Sequence, residues 1–210
     1  MDDGALVELA RRGDRDAFTS LVLRYQDQLY TMALRLLGKP ADAADVVQET
    51  FLRAYVKLPH LRGAPVRAWL FRVAVNASRD VQRRAVRRPA GSLAGKDGRT
   101  IEFPDFAPGP EAAALSSERN RVVRDALLAL PDEFRVAVVL RDVNGLSYSE
   151  IISALGVPTG TAKSRVSRGR DLLAERLGAS ELFADAGTSA AVARRGDRAA
   201  REHPRGGDQL

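Results

Sequence analysis

Apolar residues recur at spacings of three and four through the opening stretch of the chain: Leu6, Leu9 and Ala10, then Phe18, Leu21, Val22, Tyr25, Leu29, Met32, Ala33 and Leu36. That period belongs to amphipathic helices. Gly13-Asp14 and Gly38-Lys39-Pro40 interrupt it and separate one helix from the next. The spacing predicts a third helix from near Asp42 that buries Val47, Phe51, Ala54 and Leu58 and stops before Pro59. A fourth runs from about Pro65 to Arg84 with Val66, Trp69, Leu70, Val73, Ala74, Ala77 and Val81 inward. Four such helices make one compact all-α unit.

From Ala85 to Pro110 the periodicity stops, and RRPAGSLAGKDGRTIEFPDFAPGP is dense in Gly and Pro, the composition of a flexible linker. Helical spacing returns over Glu111 to Leu130, ending at Pro131, then over Asp132 to Asp142, and then in a close-set pair between Ser147 and Leu177. The last stretch, Gly178 to Leu210, has five bases, five acids and little to bury, which reads as a disordered tail. The expected fold is all-α: two small helical domains joined by a flexible linker, the second containing a helix-turn-helix.

The close-set pair carries the sharpest local signal. Ser147-Tyr148-Ser149-Glu150 is a capping-box pattern opening a short helix with Ile151, Ile152 and Leu155. Gly156 allows a left-handed turn, and Pro158 presets the backbone for a helix beginning at Thr159-Gly160-Thr161. In that helix Ala162, Val166, Gly169, Leu173 and Leu177 form an apolar stripe, while Lys163, Ser164, Ser167, Arg168 and Asp171 project away. Between Thr159 and Arg170 stand four bases (Lys163, Arg165, Arg168, Arg170) and no acid. Side chains and helix dipole thus present positive potential together, as a major-groove reading helix requires. Arginine can bond guanine bidentately, and small serines let the backbone approach base edges. A solvated amphipathic hairpin is the bland alternative; the capping box, glycine turn and acid-free first half together favour DNA.

Charge distribution sharpens the picture of the first unit. The 210 residues hold 33 Lys and Arg against 27 Asp and Glu, a net charge of +6, which alone suggests only a mild preference for polyanions. Residues 1 to 61 hold 8 bases and 9 acids, whereas 62 to 88 hold 8 arginines and the single acid Asp80. On the third helix Asp42, Asp45, Gln48, Glu49 and Arg53 form a net-acidic strip. It reads either as solvated surface complementing the helix dipole or as a docking face for a basic partner. On the fourth, Asn76, Arg79, Asp80, Arg83 and Arg87 recur on one face, suited to a nucleic-acid backbone. Trp69 lies in the apolar stripe and reads as core. The loop Pro59 to Pro65, with His60 and Arg62, is placed where an unpaired base could be held.

With no cysteine and only two histidines, His60 and His203, the chain has no thiolate chemistry and no histidine metal cluster. No catalytic constellation, phosphate loop or cofactor motif is present, so neither an enzyme nor a cofactor is expected. The opening MDDGALVELARRGD carries acids where a secretory leader carries bases, and no apolar run approaches the roughly 20 residues of a bilayer span. The expectation is a cytoplasmic protein without membrane insertion.

These features resemble the extracytoplasmic-function sigma factors, group IV of the sigma-70 family. The resemblance covers about 1 to 177. It rests on LVELARRGDRDAFTSLVLRYQDQLYTMALRLLG, DAADVVQETFLRAY, RAWLFRVAVNASRDVQRR and LLALPDEFRVAVVLRDVNGLSYSEIISALGVPTGTAKSRVSRGRDLL. It implies a region 2-like domain over 1–88, a linker over 89–110, a region 4-like domain over 111–177 and a tail over 178–210. By position Asp45, Gln48 and Glu49 match the motif that docks on the β′ coiled coil of core RNA polymerase. Arg62, Asn76, Arg79, Asp80, Arg83 and Arg84 match the minus-10 face, with the loop from Leu61 to Pro65 cupping a flipped base. Thr161, Lys163, Ser164, Arg165, Ser167 and Arg168 match the minus-35 face. Implied partners are core polymerase (β′ coiled coil and β flap), promoter DNA and an anti-sigma factor.

The sequence departs from the family pattern at Ile152-Ser153, at Ala162 where valine is usual, and at Gly169 where alanine is usual. An interior glycine costs roughly 0.5 to 1 kcal/mol against alanine, so Gly169 is expected to loosen its helix. Two rival readings stand beside the sigma factor. One is a self-sufficient helix-turn-helix regulator that binds duplex DNA without polymerase; the other is an RNA-binding or hydrolytic protein.

Overall fold

The computed structural model describes residues 1–61, 65–87 and 118–178, and every regular element among them is helical. The first lobe comprises α1 (Asp3–Arg11), α2 (Arg15–Leu37), α3 (Pro40–Lys57), a 3-10 turn (Leu58–His60) and α4 (Val66–Arg87). The second comprises α5 (Glu118–Leu128), α6 (Asp132–Val138) continuing as a π-helical turn (Val139–Val143), α7 (Tyr148–Leu155) and α8 (Thr159–Gly178). No helix among the described residues is long and apolar enough to cross a membrane.

Local chemistry sets these boundaries. Asp2 and Asp14 cap α1 and α2 by accepting from the amides of Ala5 at 2.8 Å and Ala17 at 3.0 Å. Gly38 ends α2 in the left-handed region at φ 75°, and Pro40 sits in the first turn of α3, where its missing N–H costs nothing. The third helix therefore begins slightly ahead of Asp42. The capping box of α7 is complete: Ser147 Oγ accepts from the Glu150 amide at 3.2 Å, and Glu150 Oε2 accepts from the Ser147 amide at 2.8 Å. Gly156 ends α7 at φ 65°.

The buried residues of the two lobes form one continuous apolar cluster. Leu21, Leu29, Met32, Phe51 and Phe71 are essentially inaccessible in the first, as are Leu130, Leu140, Leu146, Ile151 and Val166 in the second. Truncating any of the large aliphatic ones to alanine costs about 2–5 kcal/mol.

Two expectations need correction. The segment from Asp132 to Asp142 is not one continuous α-helix. The Asn144 amide bonds the Val139 carbonyl at 3.0 Å, five residues back, so the last turn is widened and re-aims Arg141 and Asn144 while Val139 and Leu140 stay buried. Trp69, Val73 and Val81 are only partly buried, because Ala68, Phe71, Val75 and Ser78 share the inward side of α4. The α4 helix is covered from two directions, by α3 and by α7, which rotates the buried stripe from its expected centre. Beyond those expectations, the two lobes touch directly: α4 packs on α7, and α2 on α5 and the π-helical turn. The linker expected at 89–110, the part of the fifth helix before Glu118 and the tail beyond Gly178 lie outside the described residues.

Candidate nucleic-acid interface

On α8 the buried residues Ala162, Val166 and Gly169 lie against α6, and Lys163, Ser164, Ser167 and Arg168 face solvent together. Thr161 is half-buried, and its carbonyl accepts from Ser164 Oγ at 3.0 Å. The first turn holds no acid, so the dipole is unopposed. Arg165 departs from this face: its Nη2 lies 2.9 Å from Glu133 Oε2, which turns the guanidinium back onto α6. Arg170 is likewise engaged, Nε donating to Asp142 Oδ2 at 2.9 Å, and the carboxylate holds its pKa above the ordinary value. Four side chains, Lys163, Ser164, Ser167 and Arg168, thus remain presented together to solvent.

Tyr148, at the start of α7, lies between two cations, with Arg141 4.9 Å and Lys163 6.0 Å from the ring centre. Sequence reasoning did not single out Tyr148 or Arg141. Together with Ser167, Arg170 and Asp171, Tyr148 and Lys163 line an open cleft on this side of α8.

On α4, Asn76, Arg83 and Arg84 are exposed. Arg79 is half-buried and donates from Nε to Asp132 Oδ2 of the second lobe at 3.1 Å. Asp80 is bonded by Arg83 and lies 3.7 Å from Arg53 Nη2. The row anticipated on this helix is therefore present, but three members, Arg79, Asp80 and Arg83, already have partners. Arg62 lies outside the described residues, as do Gly63 and Ala64 of the expected base-cupping loop.

On α3, Asp45 is exposed, and Gln48 and Glu49 are half-exposed beside it. Glu49 accepts from Arg53 Nε at 2.7 Å, so Arg53 joins the acidic strip to Asp80 of α4. Next to the strip Val56 is 65% exposed and Tyr55 44%, an apolar margin that the spacing rule assigned to neither core nor site. Tyr55 stands edge-on to Phe18 with ring centres 5.2 Å apart.

A helical lobe with an acidic strip beside a basic helix, followed by a lobe built around a helix-turn-helix, defines a two-part DNA-binding transcription factor. Comparison with known families is specific. Residues 21–88 match the Sigma-70 region 2 model and residues 120–173 the Sigma-70 region 4 model. The chain is 35% identical over 178 residues to the ECF RNA polymerase sigma factor SigW of Bacillus subtilis, covering 81% of this chain and 94% of that one. It is 36% identical over 186 residues to the ECF RNA polymerase sigma-E factor of Escherichia coli K12, covering 84% and 95%. Among solved structures it resembles CnrH in complex with the cytosolic domain of CnrY, with a TM-score of 0.66 and 28% identity over 85% of this chain and 99% of that one. It also resembles the sigma factor RpoE in complex with the anti-sigma factor NepR from Bartonella quintana, with a TM-score of 0.57 and 27% identity over 80% and 99%. The protein belongs to the extracytoplasmic-function sigma factors of RNA polymerase, the regulatory factors of transcription initiation.

Proposed function

We propose that the three faces divide the work of initiation. The strip Asp45, Gln48 and Glu49 docks on the β′ coiled coil of core polymerase, with the second lobe meeting the β flap. The α4 face of Asn76, Arg79, Asp80, Arg83 and Arg84, with Arg62, takes the minus-10 element and holds it open. The α8 face of Thr161, Lys163, Ser164, Ser167 and Arg168 reads the minus-35 element. Arg165 supports that helix from behind through Glu133 rather than touching a base. The observation that carries this reading is the segregation of charge: an exposed acidic strip on α3, which repels DNA, beside basic faces on α4 and α8.

Binding energy does the opening, with no catalytic group and no cofactor, and two weak DNA contacts on one chain reinforce each other through effective concentration. The work takes place in the cytoplasm, where polymerase and promoter are. The solved relatives in complex with CnrY and NepR support an anti-sigma factor as a further partner. The test is transcription in vitro by purified core polymerase plus this chain on a promoter library. Selective initiation, lost on Asp45→Arg with Glu49→Arg, is expected. Sequence-specific duplex binding with no effect of core polymerase would instead favour the stand-alone regulator.

A further inference from the structure

Four charged side chains of alternating sign run from α3 onto α4. Arg53 Nε donates to Glu49 Oε1 at 2.7 Å, one turn back on the same helix. Its other arm, Nη2, lies 3.7 Å from Asp80 Oδ2 on α4, an ion pair too long for a hydrogen bond. The second oxygen of Asp80, Oδ1, accepts from Arg83. Glu49, Arg53, Asp80 and Arg83 thus form one chain that starts in the acidic strip and ends in the basic row. Helical spacing groups Arg53 with the strip, yet its guanidinium reaches the row.

Asp80 is the discordant member of that row. A carboxylate among arginines that take phosphate repels the ligand and competes for the same guanidiniums. Its bond to Arg83 is an i,i+3 pair at a surface where Arg83 is 65% exposed, so the pair is weak and a phosphate can displace it. Displacement leaves Asp80 charged beside an anion unless another cation stands ready. Arg53 is that cation. It is half-buried, is held by Glu49, and meets the oxygen of Asp80 that Arg83 does not occupy. The planar fork lets one guanidinium serve Glu49 through Nε and Asp80 through Nη2 at once, which a lysine ammonium does not match.

We propose that Arg53 is a positioning residue of the minus-10 face: it neutralises and retains Asp80, so that Arg83 is released to the phosphates of the opened strand. Arg53 itself does not touch the DNA. The inference rests on the assignment of the α4 face given above and deepens it by dividing roles within the row. Arg83 grips, Asp80 holds Arg83 at rest, and Arg53 holds Asp80 when Arg83 leaves.

The test uses core polymerase saturated with the full chain, so that any change in docking through Glu49 drops out. The probe is a labelled promoter, recovered from the library above and premelted at its minus-10 element, bound over a range of salt. The salt slope counts phosphate contacts, at about 0.7 for each on a single strand. Arg53→Gln should weaken binding about fivefold and lower the slope by about 0.7, because Arg83 stays on Asp80. Adding Asp80→Asn to Arg53→Gln should restore both, since no carboxylate then retains Arg83. Arg53→Lys keeps the charge without the fork; it should fall between and carries the test if Arg53→Gln does not fold by circular dichroism. An unchanged slope in a folded Arg53→Gln chain would overturn the proposal. So would a loss that Asp80→Asn deepens rather than restores, the result expected of a purely structural Arg53, because the double variant breaks one more contact. Arg83→Ala checks the face independently: if slope and affinity stay at the parent values, the minus-10 assignment of α4 has failed, whatever Arg53 does.

Discussion

Replacing Gly169 by alanine tests packing against propensity, because the two predict opposite signs. In an exposed helix interior alanine is favoured over glycine by about 0.5–1 kcal/mol. At this position a Cβ would stand 2.6 Å from Val138 Cγ2, 3.0 Å from the Phe134 carbonyl oxygen and 3.3 Å from Phe134 Cβ. Val138 is buried and β-branched, so its χ1 has little freedom in a helix, and the carbonyl is fixed in the backbone of α6. Overpacking of this kind costs about 1–3 kcal/mol, so the net expectation is destabilisation by roughly 0.5–2 kcal/mol. Thermal and urea unfolding followed by circular dichroism would measure it, with Tm falling by a few degrees. Gly160→Ala, on the same helix with no atom within 4 Å, is the control and should be neutral or stabilising. Placing Gly169→Ala in a Val138→Ala background should recover part of the loss, since the crowding atom is gone. If Gly169→Ala stabilises as much as the control, or the double variant shows no coupling, close helix approach is not the reason for the glycine.

Asp45→Arg with Glu49→Arg should abolish binding to core polymerase while leaving helicity unchanged; unaltered affinity would remove the docking assignment. Arg168→Ala should weaken minus-35 binding by about 1–3 kcal/mol at one base position, read by competition with point-substituted duplexes. Arg165→Ala should leave that base preference intact and act on stability, because its guanidinium serves Glu133. Burial works against the Glu150 carboxylate, yet hydrogen bonds from Ser147 and from Arg67 hold its pKa below the ordinary value. Its stabilising effect is therefore full above the ordinary glutamate range and is lost as pH falls through the depressed value. Acid unfolding followed by circular dichroism should show stability lost in that window, and Arg67→Ala should shift it. Ser147→Ala should cost about 1 kcal/mol through loss of the cap and loosen the seat of Glu150.

The helices were legible because the signals that make them are local. The Gly13-Asp14 and Gly38-Lys39-Pro40 breaks and the Ser147 to Glu150 box act within a turn of their own position, and they appear where the spacing put them. The exposed half of the reading face was legible for the same reason: Ala162, Val166 and Gly169 are buried, so Lys163, Ser164, Ser167 and Arg168 must face outward. What spacing could not show is which neighbour meets an outward side chain. Arg165 and Arg168 are equivalent in sequence, and only the nearness of Glu133 separates them. Gly169 looked like a weak point because its cost is local, whereas its reason, Val138, lies in another helix. The bonds that Arg67 and Asn144 make to the other lobe carried no signal at all, since those partners lie more than 70 positions away.

The chemistry of that contact bears on how readily it opens. A seam meant to be permanent would be sealed with apolar side chains, whose separation exposes area to water at roughly 25 cal/mol per Å². Here buried apolar residues run continuously from one lobe into the other, and Arg67, Glu150 and Asn144 add a polar part to that contact. Charged hydrogen bonds are exchanged for bonds to water when the lobes part, so their net contribution is far below their gross strength. The contact also contains two buried polar atoms with no partner, Asn144 Oδ1 and Arg135 Nε. Burial already pushes the Arg135 pKa down, a cost only partly offset by Asp132. Opening would return both atoms to water and recover about 1–3 kcal/mol for each. The same argument ranks two variants by stability. Arg67→Ala strips donors from Glu150, Asn144 and Gln28 together, whereas Asn144→Ala removes one bond and also one orphaned acceptor. The second must therefore lower the urea midpoint less than the first, and a reversed order would refute a polar contact centred on Arg67.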